Sequence, residues 1–513
     1  MKNTNNKSLD KNLISISLAF VISLVAVFYI FPDSSQRIAD LVNKTLAHTF
    51  GSFVLLFVFF ALFGLIALAF SKYGSIKLGQ EKPEYSTFAW VAMMFSCGFG
   101  SAIFWWALIE WSYYIKTPGL NVLAESKEAY KMAVPYVFFH WGSSWTVYIL
   151  AALPTCYHFY VKKGQGLSLS AVLGSMFSFS HESIFARIVD ILFIFLCFGA
   201  LSITLGISVP LITNIFCSVF DITPSFYMNV LMIFFISLTY SFSSYIGIEK
   251  GMKNLSEWNV KFALIFLLAV FAFGPSQFIM KNTVQSLGIA LNYFPQMSLF
   301  TDPINNSGFP ESWTIFVWLY AVTYAPFTGV FVTKVSRGRT LRALVINTIG
   351  SGTAGTLLFF GVLSSFSLQR QISGVVDVVN MVDKGLDKEA VVALLNSLPF
   401  TFVFAIAACV MMILFLATTL DGAAYTLSST STKNMKEGED TSPFLRLFWC
   451  VMLSLVPLTM IFIKANLNTI KTAAVATAVP IVFIIILMLY GWLRWMFKDY
   501  KDKSEHDIIK EYE

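Results

Sequence analysis

Two segments of this chain carry aromatic residues at the interval of a single helix face. In HWGSSWTVY, residues 140–148, Trp141, Trp145 and Tyr148 fall at i, i+4 and i+7, and in YAVTYAPF, residues 320–327, Tyr320, Tyr324 and Phe327 repeat that interval. Two such stripes facing each other would form a box of rings. Ring faces attract a cation that donates no hydrogen bonds by about 2 kcal/mol per desolvated contact, which suits a quaternary ammonium group. Aromatic residues make up 16% of the chain, however, so packing alone also produces such stripes, and spacing leaves both uses open.

A second chemistry is offered by LATTLDG, residues 416–422, where Thr418 and Thr419 are adjacent and Asp421 follows. Hydroxyl and carbonyl oxygens are suitable donors for a hard cation, although threonines in apolar helices commonly bond their own backbone. Enzyme chemistry has little support. There are five histidines and neither H-E-x-x-H nor G-x-S-x-G, and His140 beside Ser143 and Ser144 is the nearest approach to a catalytic pair. Rings of like charge or a repeated filter loop, expected of a channel, are not visible in the sequence either.

These residues must be positioned by membrane-spanning helices. The chain of 513 residues is 57% hydrophobic and 12% charged, with mean hydropathy +0.70, far from soluble domains. A window of about 20 apolar residues finds twelve spans, at about 12–31, 51–70, 88–110, 138–160, 188–216, 226–246, 258–279, 313–334, 342–366, 398–426, 444–464 and 474–496. The first span lacks a cleavage site of small residues and is kept as a helix. With both termini on the inner side, the seven inner segments hold 24 of the 35 lysines and arginines and the six outer segments hold 11, so the net charge of +6 reads as topology. The basic residues are scattered over separate loops, which argues against a nucleic-acid partner. All six cysteines lie in or at the ends of apolar spans without metal-ligand spacing and read as buried small residues.

Breaks in spans mark sites, because irregular backbone is tolerated in a membrane only where it is buried or lines a cavity. One break is expected at SCGFGSA, residues 96–102, through Gly98 and Gly100, and another at YAPFTG, residues 324–329, through Pro326 and Gly329. Setting aside two leading spans leaves five and five, with a break in the first helix of each half, the mark of an inverted-repeat transporter. The expected organisation is residues 1–87 for the N-terminus and two peripheral helices, 88–279 and 313–496 for the repeats, 280–312 as an amphipathic connector and 497–513 as a tail.

The runs SWTIFVWLYAVTYAPFTGVFVTKVSRGRT (312–340), MMFSCGFG (93–100), FHWGSSW (139–145) and SYIGIEKGMKNLS (244–256) resemble the betaine/choline/carnitine transporter family, over nearly all the chain after residue 80. IEWSYYIKTP (109–118), LFTDPINNSGFPESWT (299–314) and YTLSSTSTKNMKEGE (425–439) look closest to its carnitine-exchanger branch. The resemblance implies an all-α membrane protein of twelve transmembrane helices, two peripheral ones before a five-plus-five inverted repeat, as a homotrimer in a bacterial cytoplasmic membrane with both termini cytoplasmic. It implies no cofactor, and a small zwitterion of betaine or carnitine type bound by Trp141, Trp145, Tyr148, Tyr320 and Tyr324, with Gly98, Gly100 and Tyr114 alongside. Two departures bear on the substrate. Members usually have one more residue between the tryptophans matched by Trp141 and Trp145, which would rotate Trp145 away, and Ala321 stands where a tryptophan is usual.

The resemblance also bears on coupling. Carnitine exchangers place an arginine where this chain has Asn259, and that cation stands in for sodium; a neutral asparagine cannot. Thr418 and Thr419 match the two hydroxyl ligands of sodium-coupled members, with the backbone near Ser96, Cys97 and Phe99 and the Phe415 carbonyl completing the set. Asp421 matches a family acid that tunes the ion site or bridges helices, and Glu110, at the end of a span, reads as a cap or an interfacial pair. Ala102 replaces the aspartate of choline-transporting members, which argues against proton coupling. The expectation is sodium symport by alternating access, with sodium-independent substrate exchange as the rival and no strong osmotic activation through the short tail of mixed charge.

Overall fold

The structure is a computed structural model that describes residues 9–98, 100–180, 182–462 and 467–512. The described residues are almost entirely helical, without strands longer than isolated bridges. The first peripheral helix, α1 (Lys11–Ile30), is capped by Asp10, whose carboxylate accepts from the Leu13 amide at 3.0 Å; α2 (Pro32–Phe70) starts with proline in its first turn. The first half follows with α3 (Thr87–Gly98), α4 (Ala102–Lys116), α5 (Lys127–Cys156), the short α6 (Leu169–Phe177), α7 (Ile184–Val219), α8 (Phe226–Ile246) and α9 (Lys253–Phe273). Serines 126, 168, 183 and 225 cap α5 to α8, each accepting an amide of the first turn.

The connector forms α10 (Ser276–Asn292) and α11 (Phe294–Ser298). The second half contains α12 (Phe316–Val335), α13 (Leu341–Ile346), α14 (Gly352–Ile372), the short α15 (Val378–Asp383) and α16 (Asp387–Asn396), α17 (Thr401–Thr430), α18 (Pro443–Phe462) and α19 (Leu467–Tyr500), before the tail helix α20 (Glu505–Lys510). Each expected span falls on a helix of this series. Among the described residues eight helices are long and apolar enough to cross a membrane, and a ninth is the bent pair α3 and α4.

The expected break at Pro326 does not occur. Helix α12 runs continuously through the proline, its residues from Phe316 to Thr333 all buried. Packing on every side holds the helix despite the lost hydrogen bond. Gly329 serves close approach instead: a Cβ there would lie 3.0 to 3.1 Å from atoms of Ala151 and Ala152 on α5. The irregular turn of this helix is a π-turn at Pro310–Ile315, directly before it.

The contacts between helices obey an exchange of halves. Taking α3 with α4, α5, α7, α8 and α9 as one half and α12, α14, α17, α18 and α19 as the other, α5 packs on α12 as α14 packs on α4, and α3 on α9 as α12 on α19. Likewise α9 meets α17 as α19 meets α7, while α5 with α14, α7 with α17 and α8 with α18 are self-paired. Short helices join the second and third spans of each half, α6 in one and α15 with α16 in the other. With the five spans per half expected from the sequence, the second half begins from the opposite side, and this exchange of contacts is that of an inverted repeat.

The segments read as inner meet one another at one end of the molecule. Asp10 pairs with Arg187 at 2.5 Å, Lys163 with Glu437 at 2.7 Å, Arg337 with Glu81 at 2.5 Å and Arg342 with Glu505 at 2.9 Å. The segment after α8 joins them around a cavity of about 450 Å³ lined by Glu249, Lys250, Lys334, Arg337, Asp440 and Arg446. At the other end Lys116 pairs with Glu125 at 2.7 Å, and the Trp105 indole donates to Asp387 at 3.1 Å. The charge pattern thus divides the loops into the two sets that the fold brings together.

Candidate functional site

The bent pair lies at the centre of the two halves. The axes of α3 and α4 differ by 61° across the segment between Gly98 and Ala102. Both glycines are needed for close approach: a Cβ on Gly100 would lie 2.6 Å from Thr204 Cγ2 of α7, and one on Gly98 would lie 3.3 Å from the Trp145 ring. Phe99, expected to offer its carbonyl, lies outside the described residues.

The two aromatic stripes are brought together, though not as one flat wall. Trp141 meets Tyr320 edge to face at 6.4 Å, and Tyr148 meets Tyr324 in the same way at 6.1 Å, so α5 and α12 face each other through these rings. Tyr320 and Tyr324 are themselves 5.3 Å apart. Trp145 is turned toward α3 and α14: it stacks on Phe95 at 5.6 Å, and a Cβ on Gly352 would fall 2.2 Å from its Cδ2. That glycine leaves room for the indole. Trp141 has Phe360 stacked at 5.4 Å. Thr204 was not legible as a site residue. Its hydroxyl bonds that of Tyr324 and lies 3.4 Å from that of Tyr320, so α7 contributes a hydroxyl beside Gly100.

Glu110 is a correction. It lies inside α4, fully buried, and neither caps a helix nor pairs at an interface. Its Oε2 accepts from the Trp141 indole N–H at 2.5 Å, and its Oε1 accepts from the Tyr114 hydroxyl. The Tyr114 oxygen is 2.8 Å from His140 Nδ1, and His140 Nε2 is 3.0 Å from Thr314 Oγ1. Tyr114 is thereby committed to a network that ties α4 to α5 and to the π-turn before α12. Ser143 and Ser144 donate to the carbonyls of Phe139 and His140 on their own helix, so the neighbourhood of His140 is not arranged as a catalytic pair.

The hydroxyl pair lies on the opposite flank of the break. Thr419 Oγ1 donates to the Ser96 carbonyl at 3.0 Å and is 3.1 Å from that of Phe415; Thr418 Oγ1 is 2.9 Å from the Phe415 carbonyl and 3.5 Å from that of Ser96. Both hydroxyls thus reach across from α17 to the end of α3 while also bonding their own helix. Two hydroxyl and two carbonyl oxygens converge, a donor set that suits a small hard cation. Cys97 turns its sulfur to α17, 2.8 Å from where a Cβ on Gly422 would stand.

Asn259 is fully buried on α9, which packs on both α3 and α17, and neither its Nδ2 nor its Oδ1 has a hydrogen-bond partner among the described residues. Asp421 accepts from the Ser243 hydroxyl at 2.5 Å and bridges α17 to α8.

Comparison with known proteins adds relatives to this geometry. Residues 12–501 match the family model described as BCCT, betaine/carnitine/choline family transporter. The chain is 40% identical over 510 residues to a carnitine transporter of Acinetobacter baumannii, covering 99% of this chain and 93% of that one. It is 39% identical over 445 residues to the uncharacterized transporter YeaV of Escherichia coli, covering 86% and 92%, and 30% identical over 513 residues to an ectoine/hydroxyectoine transporter of Virgibacillus pantothenticus, covering 98% and 99%. Among solved structures, the substrate-bound outward-open state of a Na⁺-coupled sialic acid symporter aligns with a TM-score of 0.44 at 13% identity, over 88% of this chain and 87% of that one.

Proposed function

This chain belongs to the betaine/carnitine/choline transporter family, and from that premise we propose that it imports a small zwitterion bearing a quaternary ammonium group by symport with sodium. The observation that carries the coupling is the convergence of the Thr418 and Thr419 hydroxyls with the Ser96 and Phe415 carbonyls beside a bent helix. These oxygens would hold the ion, together with the backbone at Cys97 and Phe99. The ion would supply positive charge that favours the bent arrangement of α3 and α4. Asn259 supports the same reading: its buried amide carries no charge with which to replace a cation, and it has no hydrogen bond among the described residues. Trp141, Tyr148, Tyr320 and Tyr324 offer ring surface to the trimethylammonium end, while Trp145 lines the break. Ala321 removes the indole usual in relatives, so the site accommodates a wider or differently shaped head.

Alternating access then consists of the bundle built on α3, α4, α5, α12 and α14 rocking against α7, α8, α17 and α18, with the inner end sealed by the ion pairs around Arg337. The reading includes a homotrimer in a bacterial cytoplasmic membrane, with the strongly basic face inside. Uptake and counterflow in proteoliposomes, with and without a sodium gradient, test it. Labelled glycine betaine, carnitine, γ-butyrobetaine and ectoine are the first solutes, chosen after a thermal-shift screen. Accumulation driven by inward sodium is expected. Exchange of internal for external solute that is indifferent to sodium would overturn the coupling and place the protein with the exchangers.

A further inference from the structure

We infer that Glu110 is a positioning residue for solute binding: its carboxylate fixes the Trp141 indole and, by accepting the indole N–H, makes that ring a better partner for a quaternary ammonium group. The inference rests on the proposed reading of Trp141 as a ring of the solute site.

The carboxylate stands at the end of a chain of buried polar contacts. Tyr114 has one proton, and it is donated to Glu110 Oε1. The Tyr114 oxygen also lies 2.8 Å from His140 Nδ1, and His140 Nε2 is 3.0 Å from the Thr314 hydroxyl. A chain of contacts thus runs from Thr314 through His140 and Tyr114 to the carboxylate, where the Trp141 N–H arrives from the other side. Because the indole N–H can only donate, Glu110 Oε2 is its acceptor, and the proposed role is that of the anionic carboxylate. A buried charge of this kind is tolerated because it is met by donors.

Two consequences follow for the indole. The first is orientation: α4 carries the carboxylate and α5 the tryptophan, so the bond sets the tilt of the ring toward Tyr320 on α12. The second is electronic. Attraction of a cation to a ring is electrostatic and follows the negative charge of the ring face. An anionic acceptor on the N–H pushes electron density into the ring, and such polarisation is strongest in a buried chain of hydrogen bonds. Trp145 is placed differently, stacked on Phe95 and seated over Gly352, so the two tryptophans of one stripe have separate roles.

The test compares glycine betaine with 3,3-dimethylbutanoate, its isostere in which carbon replaces the ammonium nitrogen, by competition binding to the purified full-length transporter. Glu110→Gln keeps an acceptor for the indole and removes the charge. The wild type is expected to favour betaine over the isostere, and Glu110→Gln to lower that preference by about ten-fold. Glu110→Asp, with the charge kept and the reach shortened, should retain most of the preference even if both ligands bind more weakly, and it serves where Glu110→Gln is not recovered folded. In a Trp141→Phe background, which has no N–H, Glu110→Gln should cause no further loss of preference. An unchanged preference in Glu110→Gln, an equal weakening of both ligands, or a loss that persists without the indole would overturn the inference while leaving the transport reading intact. A wild type that does not distinguish betaine from its isostere would overturn the cation–ring reading of the site, and the inference with it.

Discussion

Trp141 meets α14, α12 and α4 at once, through Phe360, Tyr320 and Glu110. Its replacement by alanine removes the ring that joins the proposed solute site to Glu110. Trp141→Ala is expected to weaken binding of a trimethylammonium solute by about ten-fold or more, measured by titration in detergent. An affinity equal to that of the wild type would mean that the rings serve packing alone. The hydroxyl pair gives a second prediction: Thr419→Ala, which removes the shorter of the two bonds to the Ser96 carbonyl, should raise the sodium concentration needed for half-maximal uptake. Residues of this kind were legible because their spacing is local. Glu110 was not, because an apolar window treats a charged residue as the end of a span, whereas α4 continues to Lys116 and meets the charge with donors from two helices. Thr204 was missed for the opposite reason: a single threonine in an apolar run gives no signal until the fold sets it beside Tyr320 and Tyr324.

Among the elements, α12 and the α3–α4 pair occupy corresponding places in the two halves and behave differently. A glycine pair opens α3–α4, where Gly100 must pass Thr204, whereas a proline leaves α12 intact because α5 packs along its length. Proline and glycine therefore signalled the first break correctly and the second incorrectly; what decides is the space that neighbouring helices leave, which the sequence of one helix does not state. Pro326→Ala, which restores a backbone donor to a continuous helix, is expected to keep or raise the melting temperature in detergent. Gly329→Val should lower it, by overpacking that costs about 1–3 kcal/mol, since its Cβ would stand within 3.1 Å of the α5 backbone. A marked loss of stability in Pro326→Ala would instead show that the helix depends on its proline.

Across the whole molecule, the basic residues that sort the loops into two sets also tie one face together, the one proposed as inner. Arg337, just beyond α12, is bonded to Glu81 before α3 and lies 3.2 Å from Glu437, which in turn pairs with Lys163 after α5. Glu81 is held below its ordinary range by backbone hydrogen bonding and by Arg337, as expected of an anion that stays charged on this face. The first helices of both halves are thus fastened to the loop between α17 and α18, a tie that the proposed rocking motion would have to release. Exposed pairs are worth about 0–1 kcal/mol each, so loss of Arg337 shifts the balance between closed and open inner faces by a few-fold without unfolding the protein. The reading of Lys334, Arg337 and Arg339 as orientation signals says nothing of their partners, which come from segments some 100 and 250 residues distant in sequence. Hydrogen–deuterium exchange of Arg337→Gln is expected to be faster than wild type in residues 157–163 and 431–442, with exchange in α7 and α8 unchanged. Uniform acceleration would mean that the arginine stabilises the fold as a whole, and no acceleration would mean that the inner face is held by its helices alone.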